Sequence, residues 1–268
     1  MKSIKIFNLS SRVFWIIFIV ALLSLSGFMI ATLATQQWIK LDPKSDSRYK
    51  FEGALLILTD GLEAIDNPFD AGNSTIDISE TSYISVGCSS EFLLMFWDKD
   101  TTVEAVWNFY RSWQRLFEDL WFAGGFFLVF ELQSLVCIWI LIATLFLMFK
   151  EIYFLNLNIC AAMCLWLSHI IAIIGWIGLL DVTFSDDCEK LNDEDQAPTV
   201  CATTGPRLGI FVLILIPFIM IPYFIVFAFF RRELLANNVI EMNSSVDVIN
   251  ATVITERVAH GKTREFNF

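Results

Sequence analysis

Histidine is nearly missing from this chain. Only His169 and His260 occur in 268 residues, so catalysis that depends on imidazole proton transfer is badly placed. There is no HExxH, no GxSxG, no P-loop and no dinucleotide fingerprint. No enzyme and no cofactor is therefore read from the sequence. Basic residues are also short, 18 Lys and Arg against 29 Asp and Glu, for a formal charge of −11. Nucleic acid is a poor partner for such a surface, because its affinity comes largely from cationic contacts to phosphate. The third lack is local. Val13–Ala34 and Leu208–Phe230 hold no Asp, Glu, Lys, Arg or His, Trp121–Met148 is interrupted only by Glu131, and Ile152–Leu180 carries one His and no formal charge.

What fills those stretches is apolar: 56% of the chain is hydrophobic and 26 residues are Phe. At about 1.5 Å per residue each stretch is long enough to cross a hydrocarbon layer of roughly 30 Å as a helix. Helices satisfy their own backbone polar groups in lipid, so four spans are predicted. The expected fold class is an all-α membrane protein, a four-transmembrane-helix bundle with a small extracellular β-sheet from the first loop. Lys2, Lys5 and Arg12 precede the first span, Lys150 sits between the second and third, and Arg231-Arg232 close the fourth. The bias of Lys and Arg toward the cytosol puts those places inside. The expected order is a cytosolic 1–12, spans at 13–35, 120–149, 152–180 and 207–231, extracellular loops at 36–119 and 181–206, and a cytosolic tail at 232–268. The two loops together carry a charge of −14, so the acidity of the chain is an extracellular property. Thr32-Leu33-Ala34 would suit a signal-peptide cleavage site, but an apolar run of about 22 residues is long for one, and the first span is read as retained.

The first loop mixes turn signals with strand patterns. Tyr49–Glu52 alternates, Ala54–Leu58 runs apolar to a turn at Asp60-Gly61, Thr75–Val86 begins with alternation, and Phe92–Trp97 is continuously apolar. Three or four short strands are predicted. From Thr101 the period becomes helical through Val103, Trp107, Tyr110, Trp113, Phe117 and Trp121, leading into the second span through Ala123-Gly124-Gly125. This aromatic stripe is expected to pack on the sheet rather than bind a ligand. Trp38 falls where an indole favours the membrane interface. Spans two and three, joined by only Lys150-Glu151, should be antiparallel neighbours. Ala161, Ala162, Gly175 and Gly178 permit close helix contact there. Pro217 and Pro222 should bend the fourth span, and the tail from Glu233 is expected to be mostly irregular.

Candidate sites follow from chemistry and location. Cys88, Cys188 and Cys201 lie outside the spans, where disulfides persist. A Cys188–Cys201 bridge is preferred and would stabilise by about 3 kcal/mol. Cys88 is then free, joined to another chain, or the true partner of a second-loop cysteine. Cys160 and Cys164 share a helical face without His or acidic company, so no metal is assigned. Asp186, Asp187, Glu189, Asp193, Glu194 and Asp195 read as a solvated acidic face. Asn73-Ser74-Thr75 is a glycosylation sequon in the first loop, whereas those at Asn243 and Asn250 fall in the cytosolic tail. Glu131 is an ionisable group inside a span and thus a functional candidate. The preferred reading has it reaching interfacial water, roughly 28 Å from Lys150 along the helix; pairing with His169 is the alternative. The C-terminal Phe266-Asn267-Phe268 suits capture by a cytosolic PDZ-type scaffold, through strand addition and a carboxylate pocket.

Four spans, a long β-patterned first loop and a shorter second one resemble the claudin-like superfamily. That group includes the peripheral myelin and epithelial membrane proteins, the calcium-channel γ subunits and the nematode Clc-like proteins. Trp38 matches the Trp that follows the first span there. Phe51-Glu52-Gly53-Ala54-Leu55 is similar to the aromatic-Glu-Gly-Leu-Trp stretch, with Leu55 or Leu56 in place of the second Trp. A single cysteine, Cys88, stands where the family has a pair. The resemblance implies a multi-pass plasma-membrane protein in cell–cell junctions, adhesion or a paracellular barrier, with lipid and other membrane proteins, itself included, as partners in cis or trans. An auxiliary subunit of a channel or receptor is the runner-up, and a small transporter comes third.

Overall fold

A computed structural model describes residues 5–6, 9–41, 51–60, 81–88, 103–150, 152–182, 184 and 200–262. The elements in chain order are β1 (Lys5–Ile6), β2 (Leu9–Ser10), α1 (Ser11–Ala34), β3 (Ile39–Leu41), β4 (Phe51–Gly53), β5 (Leu58–Asp60), α2 (Tyr83–Gly87), α3 (Val103–Phe149), α4 (Leu155–Leu180), β6 (Cys201–Ala202) and α5 (Thr204–Lys262). The chain is mostly helical. Four of its helices are long and apolar enough to cross a membrane: Ser11–Ala34, Tyr110–Phe149, Leu155–Leu180 and Thr204–Ala236. It reads as a multi-pass membrane protein. About 20 helical residues suffice to cross the hydrocarbon, so the 47 residues of α3 extend well beyond it.

The chain divides into two compact units, Ile19–Ile219 and a second made of Met1–Phe18 with Met220–Phe268. In the second unit, aromatic rings join the start of α1 to the later part of α5. Trp15 meets Phe230 edge-on at 5.1 Å, Phe18 meets Tyr223 in the same way at 5.1 Å, and Tyr223 stacks on Phe227. β1 pairs with β2 in this unit. α5 runs unbroken through Pro217 and Pro222 and on to Lys262, where an irregular tail was expected from Glu233.

The larger unit holds a four-stranded antiparallel sheet in the order β5-β4-β3-β6. Ile39 lies opposite Gly53 on one side and Ala202 on the other. This corrects the expectation in three ways. The fourth strand comes from the second loop rather than the first; a two-residue strand has no periodicity to read, and only its pairing to β3 defines it. β3 (Ile39–Leu41) precedes the first strand pattern, Tyr49–Glu52, at a place where no strand was predicted. Tyr83–Gly87 forms a short helix where a strand over Thr75–Val86 was predicted. Ser82 caps that helix by accepting from the Ser85 amide, and Tyr83 and Val86 turn inward at helical spacing. A short apolar run cannot be assigned to helix or strand from pattern alone. Of the predicted strands, Phe92–Trp97 lies outside the described residues.

Beneath the sheet, Trp113, Phe117 and Leu120 of α3 are buried with Leu55, Leu58, Tyr83 and Val86. The aromatic stripe thus packs under the sheet and α2, although Trp107 and Trp121 are exposed. Trp38 sits at the centre of this core. It is fully buried, its Nε1 donates to the Thr32 carbonyl at 3.1 Å, and its ring meets Phe127 at 4.7 Å and Trp176 at 5.1 Å.

Candidate functional site: a carboxylate and an imidazole among the helices

α3 and α4 run antiparallel along their length, and polar residues mark the register. Asn158 Nδ2 donates to Thr144 Oγ1 at 2.8 Å at one end, and Ser134 Oγ lies 3.5 Å from the Leu165 carbonyl further along. One turn beyond Ser134 stands Glu131. Its Oε2 lies 2.7 Å from His169 Nδ1, and both side chains are fully buried. The expectation that Glu131 reaches interfacial water is overturned. His169 projects from the facing helix at the matching height, so the carboxylate meets an imidazole before it can meet water.

A third helix completes the arrangement. His169 Nε2 lies 3.1 Å from the Gly209 carbonyl of α5. A helical residue at 209 would ordinarily carry a Cβ, and here that atom would collide with Ile173 Cδ1 of α4. Without one, the α5 backbone lies against the tip of Ile173 while its carbonyl engages the imidazole. Thr32 of α1 is also fully buried, and its hydroxyl is turned back to the Phe28 carbonyl.

The carbonyl fixes the chemistry. An oxygen of a peptide bond only accepts, so Nε2 must carry a hydrogen. Nδ1 then either holds a second hydrogen, giving an imidazolium beside a carboxylate, or is a bare lone pair that accepts from a protonated carboxyl. Both arrangements put one proton between Oε2 and Nδ1, and both are net neutral. A carboxylate facing a bare Nδ1 would set two acceptors against each other at 2.7 Å. Glu131 Oε1 is buried and has no hydrogen-bond partner among the described residues.

The remaining candidate residues are dispersed. Trp38, Gly53 and Leu55 converge beneath the sheet: the Trp38 amide donates to the Gly53 carbonyl at 2.7 Å, and Leu55 is buried. Gly53 leaves room for Tyr83, whose hydroxyl occupies the space a Cβ would need and donates to the Ala54 carbonyl at 2.6 Å. Cys88 stands apart as an exposed free thiol at the end of α2. Cys137, Cys160 and Cys164 are free as well, and Cys201 is disulfide-bonded. Cys188 lies outside the described residues, as do the acidic run from Asp186, Asn73, Phe266 and Phe268. Asn243 and Asn250 are helical, in α5. Gly175 closes on Phe126, whereas nothing approaches Gly178.

Two features escaped the sequence reading. The position of Gly209 is visible only through a contact between α4 and α5, and a lone glycine in an apolar run gives no signal of its own. Tyr83 sat in a presumed strand, where its hydroxyl had no evident partner.

No family model matches the chain, and no curated protein matches it either.

Proposed function

We propose that this chain is a claudin-like, four-span plasma-membrane protein with both termini in the cytosol. Its two extracellular loops make contacts with other membrane proteins at cell–cell junctions. One observation carries the reading: the sheet is assembled from both loops and is seated on the helices. β3 pairs with β4 and with β6, while Trp38, at the foot of β3, is locked by Thr32, Phe127 and Trp176. A surface held in this way is pre-organised, and pre-organisation reduces the entropy lost on association. The lipid-facing helix surfaces are rich in large apolar side chains such as Val129, Val136, Ile174 and Phe218. A PDZ-type scaffold at the C-terminus would add a cytosolic tether.

Cells expressing the protein should be mixed with cells lacking it, and the protein followed by fluorescence and by affinity purification from each contact type. Enrichment at contacts between two expressing cells, with recovery of junction proteins and of the chain itself, supports the reading. Even distribution over the surface with recovery of one channel or receptor complex would instead favour an auxiliary subunit. Solute flux in proteoliposomes, lost on replacing Glu131, would favour a transporter.

A further inference from the structure

We propose that Glu131 is a carboxylic acid that keeps its proton inside the helices and donates it to neutral His169, making an intramembrane proton-binding site that joins α3, α4 and α5. The argument needs only the geometry of three groups. The Gly209 carbonyl demands a hydrogen on Nε2, and the 2.7 Å contact between Nδ1 and Oε2 demands another between those atoms. What remains is which atom owns the second hydrogen. In the ionic form, Glu131 spreads its negative charge over both oxygens, and Oε1 has no donor among the described residues. An ionised carboxylate so buried is strongly disfavoured unless fully hydrogen-bonded. In the neutral form Oε1 is an uncharged carbonyl oxygen, and leaving it without a donor costs far less. The proton therefore belongs on Glu131 Oε2, with the Nδ1 lone pair as its acceptor.

Among the described residues, no charged side chain other than their own makes a contact with Glu131 or His169. The part of α1 in this unit, Ile19–Ala34, contains no titratable residue. Cys137 of α3 is buried and Cys160 and Cys164 of α4 are exposed, all as free thiols, and Glu118 and Asp119 of α3 are exposed about 18 Å or more along the helix. On α5, Arg207 is exposed. Removing the shared proton would leave one imidazole hydrogen for two contacts: on Nε2 it sets Nδ1 against a carboxylate, and on Nδ1 it gives up the Gly209 carbonyl, so the three-helix joint cannot survive deprotonation intact. The site binds one proton, and that proton is a condition of the three-helix joint.

His260 is the only other histidine, which makes the state of His169 directly readable. The full chain carrying His260→Gln, labelled with ¹⁵N-histidine and placed in lipid bilayers at neutral pH, should show a neutral imidazole protonated at Nε2 alone. Infrared spectra of the wild type should show a protonated-carboxyl carbonyl band that is missing from Glu131→Gln. This variant should stay folded, because the glutamine amide can donate to Nδ1 as the acid does. An imidazolium signal from His169 would overturn the proposal, as would a carboxyl band unchanged in Glu131→Gln. Should Glu131→Gln fail to fold, the ¹⁵N spectrum decides alone.

Discussion

Gly205 lies flat against the indole of Trp38: a side-chain carbon at position 205 would sit 2.7 Å from Nε1 and 2.8 Å from Cδ1 and Cδ2. The start of α5 is thereby held on the ring that also anchors β3, and the Gly205 amide donates to the Gln37 carbonyl at 2.7 Å. Gly205→Ala should push the indole off Phe127 and Trp176, costing about 1–3 kcal/mol, the usual cost of overpacking. Trp38→Ala removes the ring and should cost about 3–5 kcal/mol. Thermal unfolding in detergent, followed by tryptophan fluorescence, measures both. An unchanged midpoint for Gly205→Ala would mean that the ring is not confined there.

Much of the helical frame was legible because it rests on long-range composition. Runs of more than 20 apolar residues have one stable form in lipid, and the shift to helical spacing at Thr101 marked the start of α3 to within two residues. The sheet was less legible. Its strands are two or three residues long, too short for alternation to register, and β6 exists only through its pairing with Ile39 and Lys40. The candidate site was half visible. A charge within a span drew attention to Glu131, but its partner depends on helix register and the role of Gly209 depends on a third helix. The burial of Trp38 was not legible, because an indole after an apolar run gives no sign of the loops that fold back over it.

Tyr83 gives a prediction with a pH signature. Burial pushes its phenol pKa well above the ordinary value, so folding favours the neutral form. Its contribution to stability is therefore intact below about pH 10, the unfolded value, and is lost as pH rises beyond that. Tyr83→Phe loses the hydrogen bond to Ala54 and should cost about 1 kcal/mol at neutral pH. The variant should also lose stability less steeply than wild type between about pH 9 and pH 11. Denaturant titrations across that range test it, and parallel pH profiles would show that Tyr83 does not titrate with unfolding.

Gly209 is predicted to act through Ile173. Gly209→Ala places a methyl group on Ile173 Cδ1, the free end of a flexible side chain, so it should destabilise toward the low end of the about 1–3 kcal/mol usual for overpacking, with Ile173 shifting to make room. Shortening the opposing side chain should relieve the clash, so Gly209→Ala with Ile173→Val should recover part of the loss. A double-mutant cycle measures that coupling directly. Strict additivity would place the harm of the alanine elsewhere.

Orientation can be read from a single thiol. Cys88 is exposed at the end of α2, in the segment that also packs on the sheet. Cys137, Cys160 and Cys164 are free but lie within α3 and α4, where a charged reagent has no access through lipid, and Cys201 is disulfide-bonded. If the sheet faces outward, a membrane-impermeant maleimide added to intact cells should label the protein at one site, and Cys88→Ser should abolish the label. Reduction before labelling should then expose new thiols, Cys201 among them, in that same variant. Glycosidase treatment checks the same side independently: it should shift the wild type and leave Asn73→Gln unshifted. Labelling of Cys88 only after permeabilisation, or glycan on Asn243 or Asn250, would invert the topology. The proposed junction contacts would then have no surface outside the cell on which to form.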